Sequence, residues 1–337
     1  MKTSNLKLLI AVNLFACGLL PSVFGQGALT PPGAPAPTMK TLDQIEARTP
    51  VASVPFTITN SGSYYLTTNL TGVAGTNGIT IMANDVTVDL NGFALLGVPG
   101  SQDGINIGGP MYNGYTNITV INGAIQGWGR YGIGGSIYNG SFKHVQANLN
   151  ASTGFNVGRN SVVRECTATG NGSYGFYGSP YCIFESCVAQ GNGNDGIEAG
   201  GSRVLNCLVS ANGGSGIWAY GESFVSGCLS EDNAWSGIGL GSDSVAVNNT
   251  CSGNNNSGNS SQAGIRQFFG PGRIEGNHVS YSAGVGILVN AGQTQVVVIK
   301  NTTAGNTNNA YSIPAGNDVG PWGQAATATS PWANIRN

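Results

Sequence analysis

Residues 163–176 read VRECTATGNGSYGF, 184–197 read FESCVAQGNGNDGI, 204–217 read VLNCLVSANGGSGI and 225–238 read VSGCLSEDNAWSGI. The four stretches align without gaps. An apolar residue stands first (Val163, Phe184, Val204, Val225) and a cysteine fourth (Cys166, Cys187, Cys207, Cys228). A small residue is sixth (Ala168, Ala189, Val209, Ser230), Asn is ninth (Asn171, Asn192, Asn212, Asn233), and each stretch closes on Gly-Ile or Gly-Phe. A fixed period of this size marks a repeat architecture, in which one unit cannot bury its apolar side alone and does so by stacking on its neighbours.

Outward from this block, the glycine step occurs ten times: Gly78-Ile79, Gly104-Ile105, Gly132-Ile133, Gly154-Phe155, Gly175-Phe176, Gly196-Ile197, Gly216-Ile217, Gly237-Ile238, Gly264-Ile265 and Gly286-Ile287. The gaps run from 20 to 28 residues, so the longer ones mark loops inserted into a coil of 20–22. Val145, Ala147 and Asn150 extend the pattern downward; Asn254 extends it upward, ahead of an insertion over 255–262. Each unit holds about three short apolar-alternating pieces separated by turns. At ~3.3 Å per residue such a coil is ~70 Å around, enough for three strands enclosing one layer of side chains. The pattern predicts an all-β parallel solenoid of ten to eleven coils, each strand pairing with its equivalents one coil above and below. The Asn row is assigned to a sharp turn, since Asn tolerates left-handed backbone and its amide can bond along a stack. The glycine is assigned to a second corner, where a side chain would be in the way.

Only 8% of the 337 residues are charged, against roughly 25% in an average soluble domain. The formal charge is −2 and no basic patch is present, which argues against nucleic acid or an anionic membrane as partner. Lys2 and Lys7, an apolar run over 8–20 and Val23-Phe24-Gly25 read as an export signal over residues 1–25, too short to span a bilayer; no later segment reads as transmembrane. Residues 26–51 are a Pro/Gly/Ala-rich linker ending in a short capping helix over 42–48; residues 52–316 form the solenoid and 317–337 a C-terminal cap or tail. The expected location is secreted or extracytoplasmic.

Six cysteines follow the signal, and an even number in an exported chain ordinarily means disulfides. The repeat argues otherwise. Cys166, Cys187, Cys207 and Cys228 share one inward slot at ~4.8 Å spacing with parallel Cβ vectors, whereas a disulfide needs facing Cβ atoms ~3.8 Å apart. They are read as a column of buried free thiols; Cys251 falls in the Ala/Val slot and Cys182 on another strand.

The rung V-x-x-C-x-A-x-x-N-x-x-x-G-I and the stretch Asn84-Asp85-Val86-Thr87-Val88-Asp89-Leu90-Asn91-Gly92-Phe93 resemble the right-handed parallel β-helix of the pectin-lyase-like superfamily. The resemblance spans roughly 52–310. It implies a single-stranded right-handed β-helix and a site on one outward sheet face. It leaves the activity open, because the superfamily includes lyases, hydrolases, epimerases and non-catalytic surface proteins.

The residue after each glycine step points outward by strand alternation. Read upward this row is Asn106, Gly134, Asn156, Tyr177, Glu198, Trp218, Gly239, Arg266 and Leu288. The expected ligand-binding residues are Tyr177, Glu198, Trp218, Tyr220 and Arg266, with Asp195 at the corner before Glu198. Aromatic faces, a carboxylate and a guanidinium at ~4.8 Å spacing match the repeat of an extended glycan. The expected partner is a polysaccharide or cell-surface glycan. Scattered surface residues on a sheet, as in a structural or adhesin-like spacer, are the competing reading.

Catalysis finds less support. Glu198 and Arg266 are the residues available for a lyase or glycosidase site. The sequence contains neither the Asp-Pro-His-Asp box of the alginate epimerases, nor the polygalacturonase set, nor the pectate-lyase Trp-x-Asp-His segment. No cofactor and no metal centre are expected; the turn acids Glu231, Asp232 and Asp243 offer calcium-type oxygen ligands.

Overall fold

The computed structural model describes residues 46–108 and 114–336. The expected signal segment, the linker and most of the expected capping helix lie outside these residues. The described end of that helix, 46–48, is not helical, and Thr49–Val51 is already a strand paired with Gly62–Leu66.

The described residues contain strands and no helix, and nearly every strand is two to five residues long and parallel to its neighbours. A front sheet holds twelve strands, from Phe56–Ile58 to Tyr311–Ser312. That is two more than the glycine steps, because the first and last strands follow Pro55 and Ala310 instead of glycine. The other two faces of the coil form one sheet of 24 strands. They merge because Ile118–Gln126 and Ser141–Asn148 run unbroken round the corner between them.

The inward residue of the front sheet stays in register up the stack, Phe155 on Phe176 on Ile197 on Ile217 on Ile238 on Ile265 on Ile287. All seven are fully buried. The Phe155 and Phe176 rings stack at 4.9 Å and 16°, matching the strand spacing of a parallel sheet. In the wider lower coils Trp128 fills the interior, donating from Nε1 to the Leu95 carbonyl at 3.1 Å.

Each of the three corners carries its own side-chain ladder. At the first, Asn150, Asn171, Asn192, Asn212, Asn233 and Asn254 are buried, and each of the first five donates from Nδ2 to the Oδ1 above it at 2.9–3.0 Å. The same Oδ1 also accepts the backbone N–H of the Asn below at 3.0–3.2 Å. The expected left-handed residue is not this Asn but the one before it: Leu149, Gly170, Gly191, Ala211, Asp232 and Gly253 have φ of 53–64°. The preceding residue takes the turn so that the amide can face inward, where its hydrogen bonds replace those of water.

At the second corner stands the column of Cys166, Cys187, Cys207 and Cys228; these and the other two cysteines of the described residues are free and buried. Cys166 Sγ donates to the Arg164 carbonyl at 3.2 Å. Higher up the same slot becomes Asn249, Asn277, Asn301 and Asn334, joined Nδ2 to Oδ1 at 3.0–3.2 Å. The third corner is a hydroxyl row, Ser202, Ser223 and Ser244, in which each backbone N–H bonds the next Oγ, and Cys182 occupies its lower place. The glycine of each step is required by close approach: a Cβ on Gly216 would lie 2.2 Å from Ser230 Oγ and 2.7 Å from the Gly237 carbonyl oxygen.

The last residues close the stack. Asp318–Val319 pairs with Val296–Ile299 and Asn334–Arg336 with Thr302–Ala304, so Asn334 ends the second amide ladder. No helix of the described residues is long and apolar enough to cross a membrane.

Candidate functional site

The outward row stands on the front sheet in unbroken register: Asn156 beside Tyr177, Tyr177 beside Glu198, Glu198 beside Trp218, Trp218 beside Gly239, Gly239 beside Arg266. Tyr177, Glu198, Trp218 and Tyr220 are brought together. Tyr220 lies across Gly200, where a Cβ would sit 2.3 Å from its ring, and its hydroxyl is hydrogen-bonded with that of Tyr177. Burial, with Tyr177 and Glu198 close by, pushes the Tyr220 hydroxyl up to about 12.

Arg266 does not join this group. It stands three strands above Glu198, about 14 Å at the ~4.8 Å strand spacing. Its Nε donates to Asn290 Oδ1 at 2.9 Å and its guanidinium lies 3.7 Å over the Phe268 ring. Burial lowers its pKa. The side chain braces a wall of the site and is not aimed at the Glu198 carboxyl.

That wall is the segment after the strand Ala263–Gln267, namely Phe268 and Phe269. Gln267 is fully buried and donates from Nε2 to the Phe269 carbonyl at 2.7 Å and to the Gly241 carbonyl at 2.8 Å. Asn290 Nδ2 reaches the Phe268 carbonyl at 3.2 Å, and Gly270 N–H donates to Gln293 Oε1 at 2.7 Å. Phe268 meets Trp218 edge to face at 4.5 Å. Gly239 makes that meeting possible, since a Cβ there would lie 2.5 Å from the Trp218 ring and 3.1 Å from Phe268.

Between Trp218, Phe268 and Phe269 and the corner before the sheet opens a cavity of about 480 Å³. Trp235 is its other aromatic wall. Tyr174, Asn194, Asp195, Ser215, Glu198 and Gln262 supply the polar lining. A second recess of about 410 Å³ adjoins it, sharing Glu198, Trp218 and Phe269 and adding Tyr220 and Ser242, so the two form one cleft across the sheet. Trp235 is 42% and Phe269 56% exposed, a solvent cost that large aromatics usually bear where something binds.

Two acids sit in the cleft. Asp195 is 6% exposed. Burial pushes its carboxyl up to about 7, opposed by the Ser215 N–H it accepts and helped by the nearby Glu198. Burial also raises Glu198, against the pull of a hydrogen bond from the Tyr174 hydroxyl. Tyr174 is in turn driven up to about 12, by burial first and by Glu198 next. Paired carboxyls displaced upward in an aromatic cleft are a common mark of a working site. Among the described residues no cluster of His, Cys, Asp and Glu has the makings of a metal centre.

Tyr174, Trp235, Phe268 and Phe269 are absent from the outward row read off the sequence. A signal for two of them was present: Tyr174, Asn194, Asp195, Ser215 and Trp235 all stand one or two places before a step glycine, so the corner repeats as regularly as the strand. Phe268 and Phe269 lie beyond the repeat, and nothing periodic places them.

The family description "right handed beta helix region" matches residues 176–319. The A-module of Azotobacter vinelandii mannuronan C-5 epimerase AlgE6 superposes with a TM-score of 0.69 at 13% identity, covering 86% of this chain and 90% of its own. That of AlgE4 superposes at 0.67 and 15% identity, covering 81% and 90%. The Dettilon tailspike protein gp208 gives 0.59 at 16% identity, covering 78% of this chain and 61% of its own. No curated protein matches the chain by sequence. At these identities the likeness is one of fold: the chain is a right-handed parallel β-helix.

Proposed function

We propose that this right-handed β-helix is an exported protein that holds a polysaccharide or cell-surface glycan in the cleft across its front sheet. The observation that carries the reading is the convergence of Trp218, Trp235, Phe268 and Phe269 on a floor of hydroxyl, amide and carboxyl groups. A pyranose presents C–H faces to aromatic rings and hydroxyls around its rim, and this cleft offers both. The β-helix modules it resembles belong to enzymes named for a polysaccharide, which fits a glycan partner without fixing its charge. Export follows from the reading of residues 1–25 and is tested by N-terminal sequencing of the mature protein.

The binding test is a glycan array followed by calorimetry. Wild-type protein is expected to bind at least one glycan class, and Trp218→Ala to weaken it tenfold or more. Silence of the wild type on every glycan would leave the rigid-spacer reading.

One observation favours a second reading, that of a glycoside hydrolase. Asp195, with its pKa near neutrality, has the character of a general acid, and Glu198 stands close enough to raise it. Asp195 would then protonate the departing glycosidic oxygen while Glu198 serves as the carboxylate partner. Release of reducing ends by the wild type, lost in both Asp195→Asn and Glu198→Gln, is the result this reading requires.

A further inference from the structure

The glycan reading leaves the sugar's charge open, and the cleft itself speaks to it. Its polar lining comprises two carboxyl groups, a phenol, two amides and a hydroxyl, and its aromatic lining four uncharged rings. The adjoining recess adds Tyr220 and Ser242. Among the described residues neither cavity is lined by a Lys, Arg or His. The nearest guanidinium is engaged elsewhere: Arg266 is bound to Asn290 and stacked on Phe268. Resting on the glycan reading above, we propose that the cleft takes neutral sugar units and turns away uronate chains.

Charge balance separates the two kinds of sugar. A uronic acid brings one carboxylate per unit, and such a group is held in proteins by a guanidinium, an ammonium or a bound cation. Here it would meet the Glu198 carboxylate instead, with Asp195 supplying no counter-charge, at the close range a lined cleft imposes, where like charges are costly and water screens them poorly. Burial heads the causes acting on both acids, and no cation is among the groups that offset it. An anion arriving in the cleft finds no counter-charge.

A neutral pyranose meets no such penalty. Its hydroxyls can donate to the Glu198 carboxylate and to Asn194 and Gln262 oxygens, and its C–H faces can stack on Trp218 and Trp235. The aromatic walls thus set which ring faces fit, and the two acids set which sugars may enter.

The test is an array and titration in which neutral and uronic hexasaccharides of matched linkage are compared, once in EDTA and once with calcium. The expected result is binding of a neutral hexamer and at least tenfold weaker binding of every uronate, in both conditions. Glu198→Gln is expected to narrow that ratio several-fold, because it removes the repelling charge at nearly constant shape. A uronate that binds as tightly as the best neutral glycan, with or without calcium, overturns the charge assignment while leaving the cleft as a glycan site. A wild-type protein that binds no glycan of either kind overturns both.

Discussion

At the scale of single residues, the site depends on side chains that are expensive to keep. Asp195 is the clearest, and it fixes a pH dependence. Its folded pKa is near 7, above the ordinary ~3.9 of an unfolded aspartate. Between those values the folded state binds more protons than the unfolded one, so stability falls as pH rises. The contribution is intact below about pH 4 and lost as pH passes through the folded value of about 7. Asp195→Asn is therefore expected to stabilise the protein at pH 8 by a few kcal/mol and to make little difference at pH 4, as read by urea unfolding at both pH values. Arg266 yields a different expectation. Arg266→Lys keeps the charge but loses the flat stack on Phe268 and the directed bond to Asn290. A three- to tenfold rise in glycan Kd is expected, of the size that follows from a loosened wall, with melting lowered only slightly. Unchanged affinity would show that Phe268 needs no brace.

At the scale of elements, the stack is held by its corners as much as by its strands. Asn212 accepts two hydrogen bonds from Asn192 and donates to Asn233 and to the Ala189 carbonyl, all within the buried interior. Removing it leaves several buried groups unpaired at once. Asn212→Ala is expected to cost ~2–4 kcal/mol, measured by chemical denaturation. Gly239→Ala should leave stability closer to wild type, because the Cβ can push the exposed sides of Trp218 and Phe268 apart; its mark would be weakened glycan binding. The ladders also show what the sequence could and could not convey. The period and the inward slots were legible because one chemical type recurs at each: Ile or Phe after glycine, Cys then Ala, Asn nine places in. The Asn row could be placed at a turn but not in its exact role, since the strained backbone sits on Leu149, Ala211 or Asp232, which share no chemistry. Within the site, Tyr177, Glu198, Trp218 and Tyr220 were readable because strand alternation points them outward. Phe268 and Phe269 were not, because a loop's path is set by contacts such as those of Gln267 and Asn290 and by no repeat.

At the scale of the whole molecule, each coil is supported chiefly by its neighbours, so the ends matter differently from the middle. Residues 318–336 cover the top coil, pairing with Val296–Ile299 and Thr302–Ala304 and satisfying Asn301 through Asn334. A chain ending at residue 317 is expected to lose hydrogen-exchange protection in 296–312 first and progressively less below, and to self-associate through the bared edge. Its glycan affinity should stay within twofold of wild type, since the cleft residues, Tyr174 to Phe269, lie below the exposed coils. Affinity that collapses along with the top coil would show that the stack behaves as one unit.

The column of thiols has a consequence for the chain before it is folded. In the finished stack Cys166, Cys187, Cys207 and Cys228 are sealed from reagents and stand side by side with parallel Cβ vectors. In the open chain neighbouring members are 20–21 residues apart, a separation at which loops close readily. An oxidant that reaches them at that stage would lock in a crosslink the coils do not admit. Coiling and oxidation are thus rival fates of the same sulfurs, and the faster one decides the yield.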